Sequence, residues 1–368
     1  MTQKDPPVVV PATDLVGFIS GIFEAAGATR TEARAIADNL VGANLAGHDS
    51  HGIVRVPRYL KAAANGQIHF GRSPQTLIDG GAFALMDGQF GFGQVLGIDA
   101  VQSGIDRART HGVSVIALRH AGHLGRIGHW AEMACAEGFT SIHFANVAKS
   151  MLVAPFGGAE RRISTAPVAI GIPNPQGDDF LLDFATSRVA EGKVLVSLKG
   201  GKAPPAGSLI DADGQPTEDA EALYGPTPPG AVPDPRAGPG ALVAMGDHKG
   251  SGLALACELL AGALTGSGTT GPGEGPYNGM LSIYIDPARI DDGHGFGDAI
   301  DAYIDFVRGA RPADSDRPVM IPGDPERTAR KARIADGVPL PRATWDSLVD
   351  AARAVGLDAA TIPTPRLS

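Results

Sequence analysis

Cysteine is scarce in this chain of 368 residues, which has only Cys135 and Cys257. The two lie far apart within apolar stretches and form no Cys-x-x-Cys pair. That spacing excludes a cysteine zinc site or redox dithiol and favours a reducing compartment. Positive charge is also in short supply: 31 Lys and Arg stand against 40 Asp and Glu, for a formal net charge of −9. A basic face for nucleic acid or an anionic membrane surface is therefore not expected. No hydrophobic run is long enough for a bilayer. The best candidate, residues 252–264, is interrupted by Glu258 and falls short of the ~20 residues a span requires. Residues 1–12 contain one lysine and no apolar core, which argues against a signal peptide. The expected location is the cytoplasm.

Apolar residues make up 43% of the chain and charged residues 19%, enough to build a buried core. Glycine (50) and proline (29) are abundant without a Gly-X-Y period, so tight turns and close backbone approaches are expected. Apolar spacing predicts helices over 14–26 and 31–45, the second opened by a Thr29/Glu32 capping box. A strand over 82–86, a glycine cluster, a helix to 110 and a strand over 113–118 follow. The runs 141–145, 168–172 and 180–184 have short connections, which favour antiparallel pairing. Residues 200–240, dense in Pro and Gly, read as a long surface excursion or a partner-embracing arm, with Leu209, Ile210, Leu223 and Tyr224 as apolar anchors. A helix over 251–265, a strand over 280–285 and a helix over 343–355 complete the pattern.

Polar chemistry concentrates in His48-Asp49-Ser50-His51-Gly52, followed by Arg55 and Tyr59. A helix running from about Ser50 would place His51, Arg55 and Tyr59 on one face. Pro57 would kink that helix or mark its start. The competing reading is a helix N-terminus capped by Ser50 beneath a solvated face. A second cluster, from His120 to His129, follows a strand end, where sites commonly lie. Metal binding by the His48/His51 and His120/His123 pairs is discounted, because no His-Glu-x-x-His pattern accompanies them. Gly91, Gly93 and Gly97 are spaced Gly-x-Gly-x-x-x-Gly, and the acidic residue of a Rossmann fingerprint is missing after the next strand. Lys249-Gly250-Ser251-Gly252 precedes an apolar helix. It is either an anion site at a helix N-terminus or a plain turn with a solvated lysine.

Together these residues resemble the malate/L-lactate dehydrogenase group that is unrelated to the Rossmann-type enzymes and includes ureidoglycolate dehydrogenase, 2,3-diketogulonate reductase, sulfolactate dehydrogenase and Δ1-piperideine-2-carboxylate reductase. The resemblance covers nearly the whole chain. It rests on Asp49-Ser50-His51-Gly52 with Arg55 and Tyr59; Gly122-His123-Leu124-Gly125; Val153-Ala154-Pro155-Phe156-Gly157-Gly158; Leu182-Asp183-Phe184-Ala185-Thr186-Ser187; Gly214-Gln215-Pro216-Thr217; His248-Lys249-Gly250; and Pro322-Gly323-Asp324. It implies an α/β (α+β) fold, with a non-Rossmann cofactor domain on a mostly antiparallel sheet and a helical region formed from both chain ends. The division expected is 1–118 with 306–368 for the helical catalytic and substrate region, and 119–305 for the sheet domain with its excursion at 200–240.

The activity implied is NAD- or NADP-dependent hydride transfer to a 2-oxo or cyclic 2-imino acid, in a homodimer. His51 corresponds to the proton donor/acceptor, with Ser50 and Asp183 as its relay, although some relatives assign that role to the position of His123. Arg55, Tyr59 and His123 correspond to substrate positions. His123, Asp183, Phe184, Ala185 and Lys249 correspond to cofactor positions, and no metal is implied. Ser164-Thr165-Ala166-Pro167 stands where the family usually carries Gly-Thr-Asn-Pro, and the usual tryptophan near 208–210 is absent. The chemistry agrees independently: imidazole suits proton transfer near neutral pH, and an arginine fork suits a carboxylate. The alternative is a catalytically lapsed member that binds a nucleotide or small acid.

Overall fold

The computed structural model describes residues 6–198, 203–226, 228, 233–273 and 277–367. Helices Ala12–Ala25 and Arg30–Leu45 open the chain, the second capped by the Thr29 hydroxyl, which accepts from the Glu32 amide at 3.2 Å. Their apolar stripes, among them Phe18, Ile22, Ile36 and Leu40, meet Val338, Leu340, Trp345 and Leu348 in one core. The last α-helix spans Arg342–Ala354. Strand Val8–Val10 pairs antiparallel with Val338–Leu340 on one side and Arg366–Leu367 on the other. The helical body is thus built from both chain ends, as the resemblance implied.

Against it lies a seven-stranded sheet in the order Gln75–Asp79, Phe83–Asp87, Val113–Ala121, Tyr277–Ile285, Thr140–Ala148, Pro167–Ile172 and Phe180–Ala185. One pair is parallel, Phe83–Asp87 with Val113–Ala121, because the helix Gly93–His111 carries the chain back across the sheet. The other pairings are antiparallel. The glycines that open the crossover permit close packing: a Cβ at Gly93 would run into the backbone carbonyls of Gly122 and His123, and one at Gly97 into the Trp130 ring. This accounts for the spacing that fails as a dinucleotide fingerprint.

Two expectations need correction. A division at 118/119 cuts the strand Val113–Ala121, and two further strands from before residue 118 belong to the same sheet. In the excursion, the described residues form strands Leu209–Ile210 and Pro216–Thr217 and a short helix Glu221–Tyr224. They extend a four-stranded sheet with Ala241–Val243 and Val153–Ala154. Leu209, Leu223 and Tyr224 are buried in a core of this same chain, and Ile210 packs with Ala154 and Ala241. These four side chains satisfy their apolar surface internally, so they supply no anchors for a partner. Among the described residues no helix is long and apolar enough to cross a membrane.

Candidate active site

The segment bearing His51 is not one continuous helix. It makes 3-10 turns at Asp49–His51 and Ile53–Arg55, and the α-helix begins only at Val56–Ala64, with Pro57 in its first turn. The reason is local. Asn44, buried on the second helix, accepts from the Ile53 amide at 2.9 Å and donates to Asp49 at 2.6 Å, and a Cβ at Gly52 would strike it. The helix Asp324–Asp336 grips the turn from the other side. Arg333 holds both Asp49 oxygens at 2.6 and 3.0 Å, and Glu326 meets His48 Nε2 at 3.0 Å. Ser50 does not cap a helix; its hydroxyl lies 3.2 Å from His51 Nδ1.

From this turn the imidazole of His51 stacks on that of His123, with ring centroids 5.7 Å apart and planes 13° from parallel. Tyr59 places its hydroxyl 2.6 Å from His123 Nδ1. Arg55 donates through Nε to the Ser50 carbonyl at 2.6 Å. Among the described residues its two terminal nitrogens have no protein partner, which leaves a fork free for a carboxylate. Burial, reinforced by the charges of Arg55, His48 and Arg126, pushes His51 down to about 3. His123 is held well below the ordinary histidine range by burial and then by Arg55. Burial pushes Tyr59 up to about 12. Both imidazoles are therefore neutral before an anion arrives.

Asp183 projects from the edge strand Phe180–Ala185 toward the 125–128 turn. Burial raises its pKa, opposed by Arg126, whose Nη1 lies 3.5 Å away. Among the described residues no hydrogen bond joins Asp183 to His51. Phe184, on the opposite face of that strand, packs into the core containing Val168, and Ala185 is half-buried. Lys249 is exposed in the first turn of helix His248–Cys257, outside the contacts that join His51, Arg55, Tyr59 and His123. His120 binds Asp87 at 3.1 Å instead of joining the site. Among the described residues the group able to share a metal ion is Asp291, Asp292 and His294, away from these histidines in sequence.

Sequence reasoning missed Gln94, Asn39 and Asn44, and gave no role to Arg126 within the His120–His129 cluster. Gln94 was legible only as a polar residue beside the glycine cluster; the others looked like ordinary helix or loop residues. The Asn39 amide, Arg126 Nε and Asp183 Oδ2 are buried without a protein hydrogen-bond partner, and a Cβ at Gly125 or Gly128 would run into Asn39 or into the Arg126/Asp183 pair. Unsatisfied donors and acceptors grouped around the Gly125–Gly128 turn, which follows His123 in the chain, fit a polar heterocycle with a carboxamide, as a nicotinamide has. Ala166 occupies a left-handed conformation, φ +30°, of the kind asparagine tolerates better than alanine. The backbone shape at this position suits asparagine, the residue the resemblance implies there.

The family model described as malate/L-lactate dehydrogenase matches residues 10–349. Hydroxycarboxylate dehydrogenase B of Escherichia coli K12 is 37% identical over 358 residues, covering 95% of each chain. L-lactate dehydrogenase of Cupriavidus necator is 34% identical over 336 residues, covering 89% of this chain and 92% of the relative. The solved structure of sulfolactate dehydrogenase from Methanocaldococcus jannaschii superposes with a TM-score of 0.82 at 31% identity, covering 95% of this chain and 98% of the other.

Proposed function

This chain belongs to the malate/L-lactate dehydrogenase family, and we propose that it moves a hydride between NAD or NADP and C2 of a 2-hydroxy/2-oxo acid or a cyclic 2-imino acid. The observation that carries this reading is the stacked His51/His123 pair beside the unpaired fork of Arg55. When bound, the nicotinamide supplies the hydride acceptor or donor. Asn39, Arg126 and Asp183 would hold its polar end, and Lys249 at a helix N-terminus would meet a phosphate. Arg55 receives the substrate carboxylate. In oxidation the neutral His51 takes the hydroxyl proton as C2 loses its hydride; in reduction the same ring returns the proton to the forming alkoxide. The carboxylate at Arg55 cancels one of the charges that depress His51, so its basicity rises once substrate is in place. Ser50 at Nδ1 orients the ring, and Asp183 acts one step away, by pairing with Arg126, whose charge bears on His51.

A nicotinamide-absorbance assay across a panel of 2-oxo, 2-hydroxy and cyclic imino acids, with both cofactors, tests the reading. Turnover of at least one acid is expected. Cofactor binding without turnover of any would select the lapsed, binding-only alternative, which the Ala166 departure favours.

We further propose that the active unit is a cytoplasmic homodimer; its two cysteines are buried free thiols. Along 250–264 the outward face comprises Gly252, Leu255, Leu259, Ala263 and Leu264, while the one charged residue, Glu258, points inward. An uncharged helix face of this kind suits burial against a second copy. Leu259→Arg should convert the dimer to a monomer of about 38 kDa in light scattering; a wild-type monomer with full activity would remove the proposal.

A further inference from the structure

The hydrogen bonds around His123 have only one consistent direction, because backbone groups of fixed polarity stand at both ends. Gln94, 1% exposed and second in the helix Gly93–His111, places its side-chain nitrogen 3.0 Å from the His123 carbonyl. A carbonyl can only accept, so the atom facing it must be the amide nitrogen. Its other hydrogen then goes to the Tyr59 hydroxyl, also at 3.0 Å. Having accepted there, the Tyr59 O–H is directed at His123 Nδ1, 2.6 Å away. At the far end the Gly125 amide, which can only donate, points at the same Nδ1 from 3.3 Å. Two donors converge on Nδ1, which must present a lone pair.

We propose that Gln94 is a positioning residue that acts through Tyr59 to lock His123 in its neutral Nε2–H form, so that His123 offers the substrate oxygen a hydrogen-bond donor while His51 exchanges the proton. This rests on the functional reading above. Among the described residues Nε2 has no protein partner, and its hydrogen can point at a carbonyl oxygen on which charge grows during reduction. For His123 to surrender that proton, Nδ1 would have to take one from Tyr59 and leave a buried phenolate. That route is uphill, because burial disfavours the phenolate. A wrong imidazole tautomer in an otherwise intact site is costly, as the ~10⁴-fold loss in an unrelated Ser-His-Asp enzyme shows.

The test is ¹⁵N NMR of the histidine rings in the full-length protein, with His123→Gln to assign the resonances. The wild type should show a protonated Nε2 and a lone pair on Nδ1. Gln94→Glu, which offers Tyr59 an acceptor in place of a donor, should reverse the pattern and lower kcat by about 10²-fold or more with KM and nucleotide binding little changed. Gln94→Met removes the donor without reversing it. It should leave a mixed tautomer population and a smaller fall in kcat, which keeps the idea testable if the glutamate variant does not fold. A wild-type proton on Nδ1, or an unaltered tautomer and kcat in both variants, overturns the proposal. Finding the expected tautomer in a protein that turns over no 2-hydroxy acid supports the assignment while removing the functional reading.

Discussion

At position 51 the usual histidine titration is displaced, and this has a direct kinetic signature. The base form of His51 is present above its free-enzyme pKa of about 3. The profile of kcat/KM for hydroxy-acid oxidation should therefore show no His51 inflection near 6.5 and fall only toward strongly acidic pH. His51→Ala should lower kcat by about 10²- to 10⁴-fold while nucleotide binding, followed by fluorescence titration, persists. Near-normal kcat would reduce His51 to a structural turn residue. Arg55→Lys keeps the charge but loses the fork, so KM for the 2-oxo acid should rise and kcat should fall, since two-point positioning also acts in the transition state. Steady-state kinetics showing neither change would exclude Arg55 from the carboxylate site.

Among the elements, the helix Asp324–Asp336 matters beyond its own packing, because Arg333 and Glu326 fix the turn that presents His51. The Arg333–Asp49 pair is partly exposed, its aspartate half open to solvent, so Arg333→Ala should change stability by only ~0.2–1 kcal/mol. The expected effect on kcat is larger, up to about 10²-fold, because small displacements of a reacting group are costly. Urea titration alongside kinetics separates the two, and equal small effects would show that the turn holds itself. Helix positions were legible because 3.6-residue stripes such as Ala33, Ile36, Leu40 announce themselves locally, and the antiparallel strands because short connections allow little else. The break at Gly52 was not legible. It depends on Asn44, which contacts it from another element, and a spacing of four residues reads the same in a straight helix as across two 3-10 turns. The excursion misled for a similar reason: Leu223 and Tyr224 advertise burial, but not whether it is within the chain or against a partner. His51, Arg55, Tyr59 and His123 were found by residue type and motif, while Gln94 acts through hydrogen-bond direction, which a sequence does not display.

For the whole molecule, the depressed histidines add up. His51 and His143 lie at about 3, His129 at about 4, and His123 well below 6.5, burial being the first cause in each. Unfolded, each binds a proton below about 6.5. Between that pH and about 4 the unfolded chain therefore holds more protons than the folded one, and stability must fall as pH falls through the window. His143 is fully buried between the hydroxyls of Ser141 and Ser282. Its replacement by Gln should lower stability at neutral pH and reduce proton uptake on unfolding at pH 5 by about one, measurable from the pH dependence of urea unfolding. An unchanged slope would place its folded pKa near the ordinary value.

The grip of Glu326 and Arg333 on His48 and Asp49 also bears on timing during synthesis. The two contacts join residues 278 and 284 positions apart, and the first two helices share their core with Val338, Leu340 and Trp345. At ~5–20 residues per second of translation, the His51 turn waits roughly 15–60 s for the helix that fastens it. A ribosome stalled before residue 324 would carry the polar residues of the site on a chain unable to arrange them. The arranged site therefore arrives late, only after the helix Asp324–Asp336 has emerged to fasten its turn.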